Sequence, residues 1–132
     1  MATVELSFTP LPAHVRTARL VAAAVARRSG VDESLLDEVR LVVGEACSRA
    51  VEEHRLHCPA EPVRLALTEL SGRFEVEVTD TCVPGGIPAG GPVYPPGFGI
   101  AVIAGLADDV RISETPAGTS IRMSWPSAVA AS

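Results

Sequence analysis

The chain has 132 residues, the length of one ordinary domain, and a domain of this size buries about two-thirds of the surface its unfolded chain exposes, so a single core is expected. Eleven basic residues stand against 16 acidic ones, a formal net charge of −5, which excludes a basic nucleic-acid wrapper and favours a protein or small-molecule partner. Every cation is Arg; the sequence holds no Lys, Asn or Gln, so chemistry that requires a lysine nucleophile or a side-chain amide is ruled out.

An apolar content of 47% with 4% aromatics is that of a folded chain rather than a disordered one. No run approaches the roughly 18 to 20 apolar residues of a membrane span, and residues 1–8 carry no basic start or cleavable apolar region. A cytoplasmic protein without a membrane partner is expected. Cys47, Cys58 and Cys82 are odd in number and lack CxxC spacing, so reduced thiols are expected rather than a disulfide framework or a zinc site.

Residues 3–8 alternate, with Val4, Leu6 and Phe8 on one face, and predict a half-buried strand. From Pro12 the period lengthens: Leu11, Val15, Ala18, Ala22 and Val25 recur at steps of three and four, and Gly30 offers a C-terminal cap. Asp32 can cap a second helix, running to about His54, in which Leu35, Val39, Val42, Ala46 and Ala50 form one stripe. Residues 63–70 and 74–79 read as a hairpin around Ser71-Gly72. Residues 80–96, rich in Pro and Gly, read as a long loop, followed by a short helix over 99–107 and two strands, 110–113 and 120–125, around Pro116-Ala117-Gly118. This order predicts one α+β domain over residues 1–126 with a frayed tail over 127–132: a two-layer sandwich, its sheet mixed or antiparallel and its helices on one face.

Four segments stand out in chain order: Gly44-Glu45-Ala46-Cys47-Ser48-Arg49 in the second helix, Thr79-Asp80-Thr81-Cys82-Val83-Pro84 at a strand end, Gly97-Phe98-Gly99, and Gly118-Thr119. Together they resemble the histidine kinase-like (GHKL) ATPase superfamily and, within it, the anti-sigma-factor serine kinases that bind a sigma factor and phosphorylate an anti-anti-sigma partner of the STAS type. The resemblance covers nearly the whole chain and implies a Bergerat-type fold with ATP or ADP as ligand. It places Glu45 at the catalytic carboxylate, able to orient or deprotonate the attacking hydroxyl. Asp80 falls where a carboxylate accepts the adenine amino proton. Gly97 and Gly99 fall at the phosphate-binding turn before a helix, and Thr119 on the nucleotide side of the sheet.

Arg49 departs from the pattern, because it stands where the family has a magnesium-binding Asn. A guanidinium has only donors and a fixed positive charge, so it cannot ligate Mg²⁺. It can instead reach the phosphates, or pair with Glu45 one helical turn away in a solvated salt bridge. Cys82 and Pro84 replace both glycines of the family's Asp-x-Gly-x-Gly that begins at Asp80, and no basic residue lies between Asp80 and Asp109. ATP or ADP binding is therefore expected to be weakened or lost, with no metal site. The expected function is that of an anti-sigma-factor-like regulator binding a sigma factor, an anti-anti-sigma antagonist, or both, without direct nucleic-acid contact. The alternatives are an active serine kinase with an altered phosphate clamp built on Glu45 and Arg49, and a homodimeric scaffold.

Two further sets are weaker signals. Arg16, Arg19, Arg27 and Arg28 on the first helix form either a stripe for an acidic partner or a solvated face. Cys47, His54, His57 and Cys58 cluster in sequence but fit no standard metal spacing.

Overall fold

The computed structural model describes residues 2–81, 109–115 and 118–127. In chain order these form β1 (Ala2–Phe8), α1 (Pro12–Arg28), a 3-10 turn (Glu33–Leu35), α2 (Leu36–His57), β2 (Val63–Leu70), β3 (Arg73–Asp80), β4 (Asp109–Thr115) and β5 (Gly118–Pro126). The strands make one sheet in the order β1-β2-β3-β5-β4, with every neighbouring pair antiparallel. Of the loop expected over 80–96, Asp80 is instead the last residue of β3 and pairs with β5; the residues beyond Thr81, the helix expected over 99–107, and with them Gly97 and Gly99, lie outside the described residues.

Pro12 opens α1 at a position where a missing N–H costs nothing. The helix stops at Gly30, which takes φ 92° and donates its N–H to the Arg27 carbonyl at 3.1 Å. Val31 donates to Ala26 at 3.0 Å, and the pair of bonds satisfies carbonyls the helix end would otherwise leave open. Leu11, expected in the buried stripe, is 48% exposed because it is the extended N-cap residue and precedes the helical period. Asp32 caps the 3-10 turn that leads into α2. Its carboxyl accepts from the Ser34 hydroxyl and, at 3.0 Å, from the Ser34 backbone N–H, and these bonds hold its pKa below the usual value.

The sheet's two faces differ in kind. On the inner face Val63, Leu65, Leu67, Phe74, Val76, Val78, Ile121, Met123 and Trp125 are buried at alternate positions. Trp125 and Phe74, cross-strand partners, stack with ring centroids 6.3 Å apart. Full burial of each such large side chain contributes about 2 kcal/mol. The helices bring smaller groups: Ala18, Ala22 and Ala26 from α1, and Val39, Val43, Ala46 and Ala50 from α2. Small residues let the helix layer approach the sheet closely. Gly44 serves the packing of the two helices on each other, since a Cβ there would lie 2.7 Å from the Arg19 Cδ on α1.

The outer face is a polar ladder. Arg122 reaches Glu77 at 3.1 Å and Glu75 at 3.8 Å, Ser120 donates to Glu77 at 2.8 Å, and Arg73 donates to Ser124 at 2.7 Å. At the end of β5, Ser127 donates its backbone N–H to the Gly72 carbonyl at 2.9 Å and its hydroxyl to the Ser29 carbonyl.

Candidate functional site

On the inner face of β3, Phe74, Val76 and Val78 form an apolar row, and the same period of two makes Asp80 its fourth member. The Asp80 carboxylate is 3% exposed, and a buried carboxylate is costly unless a partner offsets its lost hydration. Arg49 supplies that partner: its Nη1 lies 3.3 Å from Asp80 Oδ2.

Of the two expectations for Arg49, phosphate contact or a pair with Glu45, neither describes this contact. Glu45, one turn back on α2, is partly buried and has no ion pair among the described residues. The choice follows from solvation. Glu45 keeps some of its water, whereas the nearly dry Asp80 carboxylate gains more from a cation in its lower-dielectric setting.

β3 and β5 bring the next two residues to the same place. Asp80 is the cross-strand partner of Thr119, and Gly118 beside it lies against the Asp80 backbone at φ 139°. Thr81, the residue after Asp80, donates its N–H to Nε2 of the fully buried His54, and its own hydroxyl is buried with no hydrogen-bond partner among the described residues. Arg49, Asp80, Gly118, Thr119, Thr81 and His54 thus form one continuous cluster at the end of β3. The sequence offers His54 only as the end of the second helix and as a member of a cluster that fits no standard metal spacing. A usable signal was its spacing from Cys47 and Ala50, which puts it on the buried side of α2.

The donor set at this cluster does not fit a divalent cation. Mg²⁺ takes oxygen ligands in near-octahedral geometry, and the carboxylates here are Glu45 and an Asp80 already facing a guanidinium. A purine amino group approaching Asp80 is a neutral donor competing with a charged one, and charge-assisted hydrogen bonds are about twice as strong. Among the described residues no group of three His, Cys, Asp or Glu side chains is arranged to hold a metal.

Cys58 corrects the expectation of three reduced thiols, because it is disulfide-bonded, while Cys47 is free and buried. Spacing along the chain carries no information on pairing across the fold, which is why sequence reading missed this. Burial pushes the Cys47 thiol up to about 12. Cys82 lies outside the described residues.

The remaining features lie elsewhere. A shallow cavity of about 220 Å³, lined by residues that include Glu5, Ser7, Arg64, Glu77 and Thr79, opens on the outer face, the side away from Asp80. On α1, Arg16, Arg19, Arg27 and Arg28 are all exposed. Arg27 pairs with Glu33 at 3.5 Å, and the other three have no ion pair among the described residues. None of the described helices is long and apolar enough to cross a membrane.

A family model for the histidine kinase-like ATPase domain matches residues 8–125. Among solved structures, the RsbU and RsbW domains of Rv1364c from Mycobacterium tuberculosis are similar in fold, with a TM-score of 0.70 at 17% sequence identity. The similarity covers 96% of this chain and 33% of that one, so the chain spans a third of the length of the solved protein. No curated protein matches the sequence.

Proposed function

Since the chain belongs to the histidine kinase-like ATPase domain family, we propose that it is an anti-sigma-factor-like regulator that works by binding proteins, with a nucleotide site held shut by its own arginine. The observation that carries this reading is the 3.3 Å pair between Arg49 and Asp80. Where relatives by resemblance offer an amide to magnesium and a free carboxylate to adenine, this chain joins the two positions to each other. The resemblance assigns Thr119 to the nucleotide side of the sheet and Gly97 and Gly99, which lie outside the described residues, to the phosphates, and it leaves Glu45 as a carboxylate without a metal ligand at Arg49 to work beside. The likeness in fold to a structure containing an RsbW domain supports a partner-switching role, in which the partners are a sigma factor, its anti-anti-sigma antagonist, or both.

Calorimetric titration of ATP and ADP, with Mg²⁺ and then with EDTA, tests this. The wild-type chain is expected to give no heat at about 1 mM nucleotide, an affinity weaker than about −4 kcal/mol. Arg49→Asn, which removes the competing cation and restores an oxygen ligand, is expected to bind nucleotide at least tenfold more tightly, with an Mg²⁺ dependence the parent lacks. Mg²⁺-dependent binding by the wild type, or phosphoserine on an antagonist protein incubated with it and ATP, overturns the reading in favour of a working kinase.

A further inference from the structure

His54 is fully buried near the C-terminal end of α2, and both of its ring nitrogens are engaged. Nδ1 lies 2.7 Å from the backbone carbonyl of Glu61, which can only accept a hydrogen bond. Nε2 lies 3.1 Å from the backbone N–H of Thr81, which can only donate. One ring state satisfies both partners: the neutral imidazole with its proton on Nδ1 and a bare Nε2. The surrounding backbone therefore selects the tautomer.

Glu61 belongs to the connector between α2 and β2, and Thr81 adjoins Asp80 at the exit of β3. The imidazole thus ties three segments together within one residue of the carboxylate that faces Arg49. We infer that His54 is a positioning residue for this site: its bare Nε2 holds the exit of β3 so that Asp80 is presented to Arg49.

Several charged and titratable groups lie on the elements His54 joins. Arg49, Glu53 and His57 share α2, with Glu53 and His57 4.0 Å apart from each other. Glu61 has an exposed side chain on the connector, Asp80 is paired with Arg49, and on β2 Arg64 is exposed on the outer face. None of these offers the buried ring a second acceptor in place of Thr81. The inference rests on these two hydrogen bonds and holds whether or not nucleotide binds, so its failure and that of the proposed function are distinguishable.

Heteronuclear NMR on the full chain tests it. Long-range proton–nitrogen correlations are expected to show His54 with its proton on Nδ1 at neutral pH. The Thr81 amide, corrected for its intrinsic exchange rate, is expected to be protected in the wild type and at least tenfold less protected in His54→Phe, with a change in the Asp80 carboxylate carbon shift. His54→Gln, whose side-chain oxygen can accept from Thr81, should restore both readouts. A proton on Nε2, an unprotected Thr81 amide in the wild type, or a His54→Phe chain with the wild-type protection and Asp80 shift overturns the inference. The first two readouts need no variant, so a His54→Phe chain that fails to fold does not blunt the test.

Discussion

Gly118 lies so close to Asp80 that a Cβ built on it would stand 1.9 Å from the Asp80 carbonyl oxygen, on a backbone with φ 139°. The obstacle is main chain rather than the movable end of a side chain, so it cannot turn aside. Gly118→Ala is expected to cost about 3 kcal/mol or more, from the strained dihedral and the displacement of β3 from β5 together. Urea unfolding measures the loss. A variant within 1 kcal/mol of the parent would show that this end of the sheet gives way easily.

Arg49→Ala removes the cation facing a carboxylate that is 3% exposed, while Arg49 itself is 29% exposed and keeps part of its hydration. Breaking a buried pair on one side costs about 3–5 kcal/mol, and the partial exposure of Arg49 reduces this to about 2. The double variant Arg49→Ala, Asp80→Ala should recover part of that loss, since no buried charge is then left behind. A double-mutant cycle with no coupling energy would show that the pair contributes nothing to stability.

Cys47 makes stability sensitive to alkali. Its folded value near 12 lies above the ordinary 9.0, so the folded state disfavours the thiolate. The thiol's contribution is complete below about pH 9 and is lost as pH rises from there towards 12, by about 1.4 kcal/mol per unit. With no lysine and a single tyrosine in the chain, few other side chains titrate in that range. Melting temperatures from pH 8 to 11 should fall for the wild type and flatten for Cys47→Ala. Iodoacetamide should label Cys47 but not Cys58 in denatured unreduced protein, and both after reduction.

Arg16, Arg19 and Arg28 are exposed and carry no ion pair among the described residues, which leaves them available to an acidic partner. Charge reversal at Arg16 should lower the association rate about tenfold at low ionic strength and much less at high salt, as expected for a steering charge. Stopped-flow or surface-based kinetics against a candidate sigma factor or antagonist reads this directly. Unchanged rates would place the docking surface elsewhere.

Most of the architecture was legible because it repeats. The period of two in β1, β2 and β3 and the period near 3.6 in α1 and α2 gave their type, and β2 matched to the residue. Boundaries drifted where exposed residues continue an element past its last buried one, as in α2, which runs on from His54 to His57. The site was legible as a set of positions but not as a set of contacts. Local spacing offers Arg49 only its neighbour four residues back, while its actual partner lies 31 residues ahead across the fold. The clue to that partner was Asp80 itself, an acid on the apolar register of β3. The Cys58 disulfide left no comparable trace in the pattern.

Arg49 and His54 reach successive residues of β3's exit from points five positions apart on α2, about 7.5 Å along its axis. A helix lying on an apolar sheet can ordinarily roll or slide a little, because one small side chain replaces another at modest cost. Here a slip of one residue would turn α2 by about 100° and break both contacts together. The helix is indexed against the sheet like a toothed rod. Any rearrangement that passes through α2 either carries the end of β3 with it as one body or lets go of both teeth together.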